Sequence, residues 1–365
     1  MPFEGLRDFI SLLEAQGEIA RVKKQVDGNS FEVSAILDRL QTSNGRAVIF
    51  EKIKNYDIPL CANVLGSSRR LAMALETTEE KVVAKWKERE ASGWLAPKMV
   101  SRGCCQERVV NEQEVDLLKL PILKWNPLDA GPYVTLGALI SKDPENHQRN
   151  VGIYRLLVKG RNQLVVNLLE NRHAMVHYRK AEQKGQPLEV AVAIGVDPVV
   201  LLCAAADLKF GDDELALAGA LRGQAVNLVR CKSIDVEAPA SSEIIIEGEM
   251  PPNLRALEGP FGESNGYYGQ ASYKPIMNVK AITHRLNPIY QATYSGKPVR
   301  EEHYISRLSQ CLRKQKRKSG IAAPLLNVLF NSYRQVELKV TAQKIKLPAK
   351  DREKTANNWP LYALD

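Results

Sequence analysis

Residues 136–158, LGALISKDPENHQRNVGIYRLLV, decide how this chain reads. Two apolar runs, Leu136–Ile140 and Gly152–Val158, are separated by a polar, proline-containing stretch, which is the pattern of two strands joined by a loop. The same signature recurs at Leu164–Leu169, Leu188–Ile194, Glu243–Glu247 and Ile276–Thr283, with Gly/Pro turns and two or three helices between. A barrel-like or mixed sheet follows, because the pieces do not alternate regularly enough for a doubly wound βαβ series.

Outward from this centre, His173–Gln183 reads as a helix, and Asp197-Pro198 opens another, aspartate capping and proline taking the first helical position. A further helix starts near Asp212-Asp213 and carries Glu214 in its first turn. Towards the N-terminus, Leu6, Phe9, Ile10 and Leu13 repeat at helical spacing, Gly17 stops that helix, and Ile19–Val22 and Ala47–Phe50 read as strands. A second helix fits Phe31–Gln41 with Asn29 or Ser30 as cap, and charged helical sequence covers Thr77–Ala91. Residues 1–105 are thus expected to form a small α/β domain, 106–305 a β-rich one, and 306–365 a basic tail.

A chain of 365 residues, 44% hydrophobic and 25% charged, is long enough to bury a real core. No apolar leader follows Met1, and the longest apolar stretch, Val190–Ala206, is broken by Asp197-Pro198, so a cytoplasmic protein without a membrane span is expected. The six cysteines show no CxxC spacing, which argues against a zinc ribbon or a disulfide framework. Of the net charge of +9, a surplus of seven lies in Glu301–Asp365, where 13 Lys and Arg face six Asp and Glu. The run Arg313–Lys318 lacks interleaved aromatics, so nucleic acid is not among the expected partners. Neither GxGxxG nor GxxxxGK[ST] occurs.

Several residues can carry chemistry. Glu258-Gly259-Pro260-Phe261-Gly262-Glu263 places two carboxylates in a loop too rich in Gly and Pro to be helical, either as an acid/base pair or as a solvated turn. On a strand, Val151, Ile153 and Arg155 share a face, so Arg155 needs an anionic partner unless it sits on an edge. His173 and His177 lie four apart on one helical face, half of a metal site or a packed pair. Glu214, in the first turn of its helix, favours the helix dipole.

Together these segments resemble the UbiD family of carboxy-lyases. The resemblance rests on LRDFISLLEAQGEIARV (6–22), the stretch 117–155 ending NVGIYR, LEVAVAIGVDPVVLL (188–202), ELALAGALRGQAVNLVRCKSIDVEAPASSEIIIEGE (214–249) and EGPFGESNGYYG (258–269), in the family's order. It implies a split β-barrel that binds prenylated FMN, with Asn150, His173 and Glu214 holding Mn2+ or Mg2+ against the flavin phosphate and K+ as a further ion. Asn150, Ile153, Tyr154, Arg155, Arg172, His173 and Glu214 are the implied cofactor contacts, and His177 keeps its structural reading. Arg155, Glu258 and Glu263 are the implied catalytic trio, Arg155 orienting the departing carboxylate and Glu263 donating the proton. The implied reaction is non-oxidative decarboxylation of an aromatic or α,β-unsaturated acid, by default a polyprenyl-4-hydroxybenzoate of quinone biosynthesis. A flavin prenyltransferase would supply the cofactor, the chain would be a homo-oligomer, and a lipophilic substrate would draw it to membranes.

The likeness ends near Tyr304, where the family continues into a C-terminal α/β domain. Here a basic run, an apolar patch (322–330) and a lysine-rich end follow, which reads as a truncation, a frameshift or a replacement. Such a tail is expected to bury too little to form a normal domain. The alternative function is therefore a catalytically impaired flavin-binding or subunit-interaction protein.

Overall fold

The computed structural model describes residues 3–42, 45–316 and 343–362. The N-terminal helix α1 (Leu6–Ala15) buries Leu6, Phe9, Ile10 and Leu13. Each of the four contributes roughly 1.5–3 kcal/mol by leaving water. It feeds β1 (Ile19–Val22), which pairs in parallel with β2 (Ala47–Phe50) after helix α2 (Glu32–Thr42), and β3 (Leu60–Ala62) lies antiparallel to β2. Of the two expected caps, Ser30 is the one whose hydroxyl accepts from the Glu32 N–H, at 3.4 Å. Within Thr77–Ala91 the regular helix α3 covers Val82–Ala91 and is preceded by a single 3-10 turn.

The centre is a closed six-stranded antiparallel barrel. Its strands are β4 (Tyr133–Lys142), β5 (Arg149–Val158), β6 (Gln163–Val166), β7 (Leu188–Ile194), β8 (Ile244–Met250) and the 13-residue β10 (Ser272–His284), with the short β9 (Arg255–Glu258) paired to the start of β10. Around the ring the order is β8, β7, β4, β5, β6, β10, and β10 returns to β8. Closure depends on the length of β10, which pairs with β6 near Ile276–Asn278 and with β8 over Asn278–His284. Of the expected segments, Leu188–Ile194 matches its strand end for end, whereas the strand begun at Leu164 stops at Val166.

The run Leu188–Ile194 is apolar on both faces because both are covered. Val190, Val192 and Ile194 pack with Ile244, Ile246 and Leu139 in one core, while Ala191 and Ala193 pack with Ile245, Leu201 and Leu215 in another. The alternation of large and small side chains follows the two-residue period of the strand. Small residues let helices α5 (Pro198–Ala204) and α6 (Glu214–Arg222) press on the sheet; Asp197 and Asp213 cap them by accepting from Val199 N and Leu215 N. Helix α4 (His173–Gln183) closes another side.

The N-terminal sheet and the barrel interlock. Strand β11 (Tyr290–Ala292) leaves the barrel region to pair in parallel with β3, and Lys98–Met99 pairs with Asn227–Leu228. The six cysteines are unpaired, and five are buried.

The C-terminal segment adds several side chains to the core. Helix α7 (Glu301–Lys316) places Ile305, Leu308, Cys311 and Leu312 in the core. Helix α8 (Ala349–Asn358) packs on α2, and the turn after it buries Trp359 and Tyr362. Within the run Arg313–Lys318, Arg313 is exposed and the side chains beyond it lie outside the described residues, as does the apolar patch 322–330. No helix among the described residues is long and apolar enough to cross a membrane.

Candidate active site

Arg155 stands on β5, which is paired on both sides, so it is not an edge residue. Strand β9 ends at Glu258, and the chain then turns through Gly259 at φ +89°. A Cβ on Gly259 would lie 3.1 Å from Ala271 Cα, so glycine answers both the left-handed backbone and the close approach. Phe261–Gly262 pairs with Tyr268–Gly269 as a small hairpin that carries Glu263 at its turn.

This path brings the three charged side chains together. Arg155 Nε and Nη2 donate to Glu258 Oε1 and Oε2 at 2.9 and 3.0 Å, and Nη1 donates to Glu263 Oε1 at 3.2 Å. Glu258 is fully buried, and the Tyr133 hydroxyl is hydrogen-bonded to it while accepting from Gly259 N. Glu263 keeps 39% of its side chain exposed. The guanidinium lies over the Phe261 ring, 4.9 Å from its centroid. With its amide oxygen turned to Arg155, Asn167 accepts from Nε at 3.2 Å and Nη2 at 3.3 Å. Burial works against the Arg155 charge, but the bonds to Glu258 and Glu263 outweigh it and raise its pKa above the ordinary guanidinium value.

Arg155 and Glu263 open on a cleft made of two adjoining cavities of about 260 and 350 Å³, with Glu258 buried behind Arg155. Both are lined by Thr135, Ile153, Tyr154, Arg172, Ser264 and Glu302, and Arg155, Asn167, Phe261 and Glu263 line the smaller one. Of these, Ile153, Tyr154 and Arg172 are expected cofactor contacts. Glu302 is a residue that sequence reasoning missed, since nothing in Glu301-Glu302 distinguishes a cleft acid from a solvated helix start. Burial pushes its carboxyl up to about 7, against hydrogen bonds from Ser295 Oγ and Gly296 N.

Asn150 and His173 meet, and Glu214 reaches the backbone beside Asn150. His173 Nδ1 lies 3.2 Å from Asn150 Oδ1, and Glu214 Oε2 accepts from the N–H of Val151, the neighbour of Asn150, at 2.8 Å. Burial pushes the Glu214 carboxyl up to about 8, and burial together with Arg172 lowers the His173 pKa. Asn150 Nδ2 is buried with no partner. No group of three or more His, Cys, Asp or Glu placed to hold a metal ion occurs among the described residues, but this set includes an asparagine. An amide oxygen, a neutral imidazole and a carboxylate fit a hard to borderline divalent cation. His177, by contrast, is buried against Ser141 Oγ at 3.0 Å, and burial holds its pKa down at about 4.

The sequence matches the 3-octaprenyl-4-hydroxybenzoate carboxy-lyase Rift-related domain over residues 98–298 and the N-terminal domain of the same carboxy-lyase over residues 10–90. An uncharacterized protein of Archaeoglobus fulgidus is 37% identical over 330 residues, 85% of this chain and 68% of its own length. Among solved structures, an evolved dimeric form of the UbiD-class enzyme HmfF from Pelotomaculum thermopropionicum, in complex with prFMN, is 37% identical with a TM-score of 0.79, over 84% of this chain and 71% of that one. Vanillic acid decarboxylase from Sedimentibacter hydroxybenzoicus is 29% identical with a TM-score of 0.82, over 87% and 71% of the two chains. The 3,4-dihydroxybenzoic acid decarboxylase of Enterobacter cloacae is 31% identical with a TM-score of 0.79, over 85% and 68%. A profile covering the barrel and more, a second covering the N-terminal sheet, and solved relatives that superpose on both agree: this chain belongs to the UbiD family of carboxy-lyases.

Proposed function

We propose that this chain removes carbon dioxide from an aromatic or α,β-unsaturated carboxylic acid with the help of prenylated FMN and a divalent cation, manganese or magnesium. The observation that carries the reading is the Glu258–Arg155–Glu263 array opening on the same cleft as Ile153, Tyr154 and Arg172. Ile153, Tyr154, Arg155 and Arg172 would contact the flavin, and Asn150, His173 and Glu214 would hold the cation against its phosphate, with K+ as a further ion. When bound, the modified flavin supplies an electron sink for the pair left behind as carbon dioxide departs.

The protein's own part follows from the hydrogen bonds. Glu258 fixes the guanidinium plane through two parallel bonds, leaving the second N–H of Arg155 Nη1 without a partner among the described residues to orient the substrate carboxylate. Once the carbon–carbon bond breaks, Glu263 delivers a proton to the substrate carbon and is reprotonated from water, which its exposure permits. No net redox change is needed. Compact acids of the kind named for the solved relatives are the first candidates, with polyprenyl-4-hydroxybenzoate as the quinone-pathway substrate to compare. A flavin prenyltransferase is the proposed supplier of cofactor, and a homo-oligomer the proposed assembly.

Co-production with a flavin prenyltransferase, followed by carbon dioxide release on a panel of hydroxybenzoic and cinnamic-type acids, tests this. The Glu263→Gln variant is expected to keep the flavin absorbance and lose turnover. A variant that decarboxylates at the parent rate would falsify the proton-donor role. Flavin retention by the parent without turnover on any acid would favour a flavin-binding or subunit-interaction protein instead.

A further inference from the structure

Across the segments 265–267 and 296–300 from the active cleft lies a second cavity, of about 560 Å³. Its wall brings together Lys297, Arg300, Lys344, Lys346 and Arg352, with Asp38 as the one acid. Arg300 donates to Asp38 at 2.7 Å and stacks on the Tyr294 ring, so that acid is engaged. Lys297, Lys344, Lys346 and Arg352 form no ion pair among the described residues. Arg300 is 5% exposed, yet its Nε–H is buried without an acceptor.

Cations gathered around a concavity repel one another and are held at a cost unless an anion joins them. An orphaned N–H in the same wall adds a desolvation penalty that an acceptor would remove. We propose that this cavity binds an organic di- or triphosphate. Phosphate fits better than carboxylate on geometric grounds: three of the cations are lysines, point charges approaching from two segments, which suits tetrahedral oxyanions. Arg300 Nη2 is already taken by Asp38 and by the Lys297 carbonyl, so neither of the N–H pairs that include it is free as the two-pronged fork that a planar carboxylate matches. The volume exceeds that of a bare phosphate and leaves room for a ring beside Tyr267.

The cavity is assembled by the tertiary fold. Ile345 N donates to Gly266 O at 2.9 Å, and Tyr268 N donates to Gln343 O at 2.9 Å, so the C-terminal segment is tied to the hairpin that carries Glu263.

Calorimetric titration of the full-length chain with inorganic pyrophosphate, ADP and citrate tests the proposal. Pyrophosphate or ADP is expected to bind with a Kd below about 0.1 mM at low salt, weakening as sodium chloride is raised. The Lys344→Ala/Arg352→Ala variant is expected to bind at least about tenfold more weakly. These side chains are exposed and unpaired, so an unchanged melting temperature confirms folding; Lys297→Ala serves as a second variant with the same expectation. ADP tighter than pyrophosphate supports an organic polyphosphate, and equal or weaker ADP binding overturns the organic part of the proposal. Three results overturn the whole proposal: no binding by either probe below about 1 mM, affinities unaltered in both variants, or citrate binding tighter than pyrophosphate.

Discussion

Arg155 and Glu258 meet through two parallel bonds of 2.9 and 3.0 Å, although 103 residues separate them in the chain. The carboxylate has no exposed surface and the guanidinium little, so each is the other's main compensation for leaving water. The Glu258→Gln variant removes the charge and one of the two acceptors. It is expected to lose about 3–5 kcal/mol of stability, as for other broken buried pairs, and about a hundredfold in turnover through a misplaced Arg155. Denaturant unfolding and carbon dioxide release read the two effects separately; a variant as stable as the parent would show that the pair is not what holds Arg155.

Gly269 sits across the hairpin from Glu263. A Cβ there would stand 2.3 Å from Glu263 Oε1, which moves the carboxylate and leaves the backbone in place. Gly269→Ala is expected to lower turnover by about tenfold or more, with stability within about 1 kcal/mol of the parent. Turnover equal to the parent's would mean that the position of this carboxylate does not limit the reaction.

If Asn150, His173 and Glu214 hold the cation, removing one ligand matters before any activity is measured. Glu214→Gln and His173→Ala are each expected to reduce divalent-metal affinity by more than about tenfold, the cost of losing even an outer partner of a ligand, and to reduce flavin retention with it. Elemental analysis of the purified protein is the readout. His177→Ala, buried against Ser141, serves as the contrast and is expected to cost stability while leaving metal content unchanged.

Docking of the C-terminal segment has a pH signature. Burial opposes the Glu32 charge, but bonds from Lys354 and Tyr362 and from the Asp27 N–H outweigh it and set its pKa below the usual 4.5. A carboxylate with a lowered folded-state pKa stabilises fully above its unfolded-state value, and that stability is lost as pH falls through the folded one. Between about pH 6 and about pH 3 the parent is therefore expected to lose more stability than Glu32→Gln. Parallel curves for the two proteins would remove Glu32 as the anchor.

Local structure was legible in the sequence wherever the deciding interactions lie within a few residues. Asp197-Pro198 and Asp213 announce their helices because a capping carboxylate bonds to an N–H two residues on. The strands Ile19–Val22, Ala47–Phe50 and Leu188–Ile194 were readable from β-forming composition bounded by turns. The sequence also held Arg155, Glu258 and Glu263 as candidates, and the family's order of segments with them.

Which strand lies beside which was decided only in three dimensions. Pairing depends on burial summed over the whole chain, and no local signal shows that β10 is long enough to close the ring or that β11 joins the N-terminal sheet. For the same reason Arg155 could be read as an edge residue, Glu302 drew no reading at all, and nothing local tied the lysine-rich end to the rest. In the first and last cases a partner far away in sequence set the environment: the Glu258 carboxylate for Arg155, and Glu32 beneath Lys354 and Tyr362. Local composition and capping marked most of the elements and the chemical inventory, and burial summed over distant segments settled which charges share a cavity.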